Sequence, residues 1–187
     1  YRCHVVTIAP ETGTGNIDQS LAIFSHDQNK VHGYRSYKNW RHAKGALPYH
    51  LLRKCFPVLG RLPDLHVWDY RRAYSLARDI ISRHKIDFVF SAGSPFSGNL
   101  LGLRLKREFG LPWVVHYFEP WAEQVYIRRN RICHSVNRGF ERAVLESADA
   151  ATFISEDILN LAMDPYAQWR EKAHVFPLGF YPPSYPE

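Results

Sequence analysis

The chain has 187 residues, enough for one domain with a sizeable core, and its 45% hydrophobic and 22% charged content excludes a disordered chain. The formal net charge of +6 favours partners that carry phosphate or other anionic groups. No apolar run approaches the roughly 20 residues of a transmembrane helix, and no signal segment is present, so we expect a cytoplasmic protein. The three cysteines lie far apart in no ligand spacing, so the sequence predicts neither a disulfide framework nor a metal site.

Short runs rich in Val, Ile and Phe predict five β-strands: His4–Ile8, Asp87–Ser91, Trp113–Tyr117, Ala150–Ile154 and Ala173–Pro177. Most of these runs do not alternate with polar residues, as is typical of parallel strands covered on both faces. Between them, apolar residues recur at helical spacing in stretches that begin near Ala73, Leu101, Phe140 and Ile158. Strands that alternate with helices predict an α/β fold, a Rossmann-like parallel sheet with helices on both faces.

Two stretches depart from this alternation. The stretch from about Lys30 to Pro63 has no sustained period and is punctuated by proline and glycine, so we predict a long, partly ordered excursion. The final stretch carries four prolines and a glycine in 11 residues. We therefore predict a domain over residues 1–176 and a linker over residues 177–187.

Basic residues are concentrated in two places. From Gln28 to Pro63 there are eight basic residues and no acid, interleaved with aromatic rings, and a second cluster spans Arg128 to Arg142. This combination suits an anionic membrane surface or a phosphate-bearing ligand, although a solvated basic face is the alternative. No nucleic-acid motif accompanies the charge, which argues against nucleic acid. The predicted membrane or phosphate patch comprises Arg35, Lys38, Trp40, Arg41, Lys44, Arg128, Arg129 and Arg131.

The segment Phe88–Ser97 runs from a predicted strand through a turn of small residues into a helix. Ligands bind at the carboxyl ends of parallel strands, and a helix N-terminus there offers free N–H groups to phosphate or to sugar hydroxyls. This interpretation makes Gly93, Ser94 and Ser97 binding residues. The alternative is an ordinary connection with Ser94 or Ser97 as N-cap.

The next strand ends in His116–Trp121, which places Glu119 at the same edge of the sheet. A carboxylate there can accept hydrogen bonds from a sugar or act as a general base, and the ring of Trp121 offers a flat apolar face for a sugar. The alternative is a capped loop with a core tryptophan.

Taken in order, eight pieces of the chain resemble the N-terminal domain of family 4 glycosyltransferases, in particular the subgroup that handles exopolysaccharides and related cell-surface glycans. The more specific pieces are Ser91–Ser97, His116–Trp121, the block from Glu141 to Ser155, and Lys172–Phe180. Four residues depart from the family pattern. Glu119 stands where the family prefers Asp, His116 and Phe118 replace the first Asp and the Arg of that block, and Leu178 replaces the usual Asn.

The resemblance implies one half of a GT-B fold, the acceptor-binding half of a retaining enzyme. That enzyme would move a hexose from a nucleoside-diphosphate donor to a glycan or lipid-linked acceptor, at the inner face of the membrane. The donor would bind a C-terminal domain beyond residue 187, so we expect no cofactor in this chain and no activity from it alone. The acceptor site would comprise Gly93, Ser94, Ser97, His116, Glu119 and Trp121, with Glu119 orienting the acceptor or serving as base. A non-catalytic basic α/β module that binds anionic surfaces is the alternative.

In the resembled fold the first strand is central, and it would lie before Tyr1. We therefore expect unpaired strand edges on either side of that position. Such edges would favour a homodimer, a rearranged sheet or an unstable isolated chain.

Overall fold

The structure, a computed structural model, describes residues 3–8, 30–34 and 62–179. These residues belong to two compact units, Tyr1–Asp87 and Phe88–Glu187. Each unit contains parallel strands flanked by helices, so the predicted α/β class is confirmed.

In the first unit, β1 (His4–Ile8) pairs in parallel with β2 (Lys30–Tyr34), and α1 (Tyr70–Arg83) packs against both strands. Helix α1 buries Ala73, Ala77 and Ile80 of the predicted stripe. Leu76 and Ile81 of that stripe are partly buried, and His84, which lies beyond the end of the helix, is exposed. A short 3-10 helix, Leu65–Asp69, precedes it.

The prediction of an irregular excursion from about Lys30 to Pro63 is wrong at its start, because residues Lys30–Tyr34 form strand β2. Lys30, Val31 and Gly33 are exposed, so β2 has no apolar run by which the sequence could reveal it. Its conformation depends on pairing with β1 along all five residues rather than on its own composition.

The second unit contains one parallel sheet in the order β3-β4-β5-β6. Its strands are β3 (Val89–Gly93), β4 (Trp113–Tyr117), β5 (Ala150–Phe153) and β6 (Ala173–Val175). Its helices are α2 (Ser97–Phe109), α3 (Val125–Arg128), α4 (Arg131–Ser147) and α5 (Glu156–Met163), followed by a 3-10 segment, Asp164–Lys172. Strand β3 lies two residues further along the chain than predicted, because Ala92 and Gly93 still pair with His116 and Tyr117.

The core lies between one face of this sheet and the helices α2, α4 and α5. Val115, Tyr117 and Phe153 on that face are fully buried, and Leu145 and Leu159 of the helices pack against them. The predicted apolar stripes of α4 and α5 therefore form part of the core. Helix α2 contributes Leu103 to the core instead of the predicted stripe of Leu101, Leu105 and Phe109. At its centre the indole of Trp113 lies against Gly102.

Asp149 ties the amino ends of two strands together. Its Oδ2 atom accepts hydrogen bonds from the backbone N–H of Trp113 at 2.6 Å and from Nζ of Lys106 at 2.8 Å. The hydrogen bond from Lys106, together with that from Trp113, lowers the pKa of Asp149 although burial opposes the shift. Asp149 therefore joins the start of β4 to the start of β5, at the edge of the sheet opposite to the carboxyl ends of the strands.

Within the described residues, β1 has β2 as its strand partner and β3 has β4, so each keeps one side without a strand partner there. The expected unpaired edges and the homodimer both remain predictions. The domain boundary at residues 176 and 177 also stays a prediction, since the structure describes the predicted linker only to Gly179. Across the described residues, no helix combines the length and apolarity needed to span a bilayer.

We predict that replacing glycine by alanine has opposite effects on stability at Gly102 of α2 and Gly139 of α4. A Cβ at Gly102 would lie 2.5 Å from Nε1 of the buried Trp113, so we expect Gly102→Ala to lower the free energy of unfolding by about 1–3 kcal/mol. A Cβ at Gly139 would meet no atom within 4 Å. Gly139→Ala should therefore raise the free energy of unfolding by about 0.5–1 kcal/mol, because alanine has the higher helix propensity. Urea denaturation measures both, and equal effects would contradict the packing described for Trp113.

Candidate functional site

The loops that follow β3 and β4 start side by side at one edge of the sheet. Gly93 lies opposite Tyr117 in the parallel register, and the N–H of Phe118 donates to the carbonyl oxygen of Gly93 at 3.1 Å. The ladder thus continues one residue beyond β4. The turn at 94–96 and the loop at 118–124 share the carboxyl edge, as the parallel topology predicted.

Gly93 lies where no side chain fits. A Cβ there would lie 2.8 Å from Cδ1 of Phe96 and 2.9 Å from Nδ2 of Asn99. The absence of a side chain lets the start of α2 approach the end of β3. Its predicted role in binding a ligand remains a prediction.

The start of α2 differs from the alternative considered for Ser94 and Ser97. The N-cap residue is Phe96, with no side-chain cap hydrogen bond, so neither serine caps the helix. Ser97 is already the first helical residue and is buried, whereas Ser94 is exposed in the turn. The hydroxyl of Ser94 is therefore accessible to a ligand at this edge.

Asn99 is a buried polar residue beside Gly93 that the sequence analysis did not single out. Its Oδ1 accepts a hydrogen bond from Oγ of Ser91 at 2.9 Å, and Ser91 in turn accepts one from the indole of Trp113 at 3.0 Å. Its Nδ2 has no hydrogen-bond partner among the described residues. An unmet buried donor costs about 1–3 kcal/mol, and because Asn99 is fully buried, its amide is not accessible to a ligand in this structure.

Trp121 lies in the core, which contradicts the predicted ring platform. It is fully buried, and its ring stacks on Phe96 with centroids 4.8 Å apart. Its Nε1 donates to Oδ1 of Asn137 at 2.8 Å, while Nδ2 of Asn137 donates to the carbonyl of Cys133. The alternative interpretation, a core tryptophan, is correct because the ring packs on the buried Phe96 and its N–H pairs with the buried Asn137. Trp121 therefore fixes the position of the loop rather than meeting a sugar.

Glu119 and His116 differ in accessibility. Glu119 is half-buried, so its carboxylate is within reach of a ligand at the edge. His116 is only 3% exposed, its Nδ1 lies 2.8 Å from Oγ1 of Thr152, and the rings of Phe90 and Phe118 pack against it. Burial lowers the pKa of His116, which favours a neutral imidazole. The acceptor-binding roles of both residues stay predictions.

Glu141 lies beneath the loop that carries Glu119. Its Oε2 accepts a hydrogen bond from the hydroxyl of Tyr166 at 3.2 Å. Burial raises the pKa of Glu141 to about 7, although the backbone N–H groups of Ala122 and Trp121 and the Tyr166 hydroxyl favour its charged form. Glu141 thus connects the 118–124 loop to α4 and to the Asp164–Lys172 segment.

The predicted basic patch is seen only in part. Five of its residues lie outside the described residues: Arg35, Lys38, Trp40, Arg41 and Lys44. Nε of Arg128 pairs with Oε2 of Glu123 at 3.4 Å, whereas Arg129 and Arg131 are exposed. In the described part of the chain, no group of His, Cys, Asp and Glu side chains is arranged to hold a metal ion.

Parallel α/β architecture with two loops at one carboxyl edge is consistent with a Rossmann-like half of a GT-B fold. Comparison with protein families matches residues 2–179 to the glycosyl transferase 4-like domain, so the chain belongs to that family. The match confirms the resemblance at the level of the family, while the exopolysaccharide subgroup stays a prediction. A comparison with curated proteins found no match.

The pKa of Glu141 predicts how stability depends on pH. Between its ordinary pKa of 4.5 and the folded value of about 7, the folded chain keeps a proton that the unfolded chain has released. The free energy of unfolding should therefore fall as the pH rises through this window, by up to roughly 3 kcal/mol. In Glu141→Gln this fall should disappear, because the amide does not titrate and still accepts from Tyr166. Urea denaturation at several pH values measures it, with the exposed Glu171→Gln as control; an unchanged slope in Glu141→Gln would contradict the assignment.

Proposed function

We propose that this chain binds the sugar acceptor of a retaining glycosyltransferase that uses a nucleoside-diphosphate donor. One observation carries the proposal: in a glycosyl transferase 4-like domain, the loops after β3 and β4 are joined by the hydrogen bond from Phe118 to Gly93. Ligands of open parallel sheets bind outside the carboxyl ends of neighbouring strands, which is where these loops lie.

The polar groups at this edge suit a sugar. Hydroxyl groups both donate and accept hydrogen bonds, so a sugar site needs donors and acceptors together. The exposed hydroxyl of Ser94 supplies a donor, and the half-buried Glu119 supplies an acceptor. Trp121 and Phe96 form the packed floor on which the loop rests.

In the proposed reaction, an acceptor hydroxyl attacks the anomeric carbon of the donor sugar while the bond to the diphosphate breaks. Glu119 orients that hydroxyl by accepting its hydrogen bond, and it is the candidate base for the released proton. The leaving diphosphate is stabilised by charge, without a covalent nucleophile on this chain.

The nucleotide-sugar is held by a second domain in this proposal, so the 187 residues alone bind acceptor without turnover. The acceptor is a glycan or a lipid-linked sugar of cell-surface polysaccharide biosynthesis. A basic domain of this kind would work at the inner face of the membrane, where lipid-linked acceptors are accessible.

Substitution of Glu119 tests the acceptor site. Glu119→Gln removes a charged hydrogen-bond acceptor, so the affinity for an oligosaccharide that the chain selects from a glycan array should fall by about tenfold or more. Calorimetric titration measures the affinity, and Glu171→Gln, which alters an exposed carboxylate on the Asp164–Lys172 segment, is the matched control.

Equal affinity in wild type and Glu119→Gln would contradict the proposed edge. Sugar transfer by the purified chain from UDP-glucose or GDP-mannose would contradict the assignment of the donor to a second domain.

A further inference from the structure

A cavity that opens to solvent lies away from the residues proposed for the acceptor, between α4 and the Asp164–Lys172 segment. Its volume is about 380 Å³, and it is lined by Arg138, Gly139, Arg142, Pro165, Tyr166 and Gln168. A water molecule occupies about 30 Å³ of liquid, so the cavity has room for a phosphate together with part of the group that it esterifies.

The charges that line this cavity have one sign. Arg138 and Arg142 are four residues apart on α4, so their side chains emerge on the same face with Cβ atoms about 5–6 Å apart. Arg131, a further seven residues back, lies on the same stripe. All three are exposed, and none of them forms an ion pair within the described part of the chain.

Such a stripe is costly for the helix. Like charges four residues apart destabilise a helix by about 0.2–0.5 kcal/mol, and no lining carboxylate offsets them here. The acid nearest in sequence, Glu141, is 1% exposed and does not line the cavity. An external anion would relieve this repulsion.

The floor of the cavity is fixed. Tyr166 is buried, and its hydroxyl donates to Oε2 of Glu141 and approaches the carbonyl oxygen of Arg138, each at 3.2 Å. The guanidinium of Arg138 lies over the Tyr166 ring, 6.0 Å from its centroid, where a cation–π contact restricts its position. One donor group is thereby pre-oriented, and the space above Gly139 stays open because that residue has no side chain.

We propose that this cavity binds the phosphate group of a phosphorylated ligand, held by the guanidinium groups of Arg138 and Arg142 with the Gln168 amide as a further donor. Guanidinium groups bind phosphate through paired N–H donors, which makes arginine better suited than lysine to this geometry. The site shares no residue with the proposed acceptor edge, so either can fail without the other.

The test is calorimetric titration of the 187-residue chain with inorganic phosphate at constant ionic strength. We expect saturable binding that Arg142→Gln weakens by about tenfold or more. The control is Arg107→Gln, which removes an exposed arginine of α2 and should change the affinity less than about twofold.

A second variant separates a built site from diffuse charge. Gly139→Leu keeps every arginine but fills the open space, so it should also weaken phosphate binding while the melting temperature stays at or above that of wild type. Absence of saturable binding, equal losses in Arg142→Gln and Arg107→Gln, or unchanged affinity in Gly139→Leu would each overturn the proposal.

The source of the phosphate is distinguished by two further probes. Sedimentation with phosphatidylcholine vesicles that contain phosphatidic acid, lost in Arg142→Gln and retained in Arg107→Gln, would identify a lipid headgroup. Binding of glycerol 3-phosphate with the same variant pattern and no sedimentation would identify a soluble phosphate ester. Failure of both probes to distinguish Arg142→Gln from Arg107→Gln would overturn the site.

Discussion

The hydrogen bond between the N–H of Phe118 and the carbonyl oxygen of Gly93 is the constraint on which the candidate site depends. It extends the parallel ladder past the end of β4 and sets the starting points of two loops against each other. Because Gly93 has no room for a Cβ, α2 begins close to the strand and brings Asn99 to the same place. The turn that carries Ser94 and the loop that carries Glu119 therefore start side by side, at the edge where we propose that the sugar acceptor binds.

Behind this edge, buried polar groups hold the loop of Glu119 in place. Trp121 is anchored by stacking on Phe96 and by its hydrogen bond to Asn137, and Glu141 lies below it with Tyr166. Buried polar groups are costly unless they are paired, so this arrangement specifies one position for the loop. The same Tyr166 lines the cavity between α4 and the Asp164–Lys172 segment.

Much of the fold could be predicted from the sequence, because apolar runs and helical stripes are local patterns. The strand Trp113–Tyr117 has the predicted bounds, and Ala73, Ala77 and Ile80 of the predicted stripe are buried. Strand β2 could not be found, since its pairing with a distant strand decides its conformation. For the site, the sequence could predict only that parallel strands bring the two loops to one edge. Whether Trp121 faces solvent or the core depends on its contacts with Asn137 and Phe96. Those contacts cannot be predicted from the spacing of residues in the sequence. The family was recognisable because many weak motifs occur in a fixed order.

The central claim is that the loops after β3 and β4 form one acceptor-binding edge. The most direct test of this claim is chemical-shift mapping of the ¹⁵N-labelled chain during titration with an oligosaccharide selected from the glycan array. The account predicts that the largest shifts cluster at residues 93–99 and 118–121 together and move with a single affinity. Shifts confined to one of these segments, or centred on residues outside both, would contradict it.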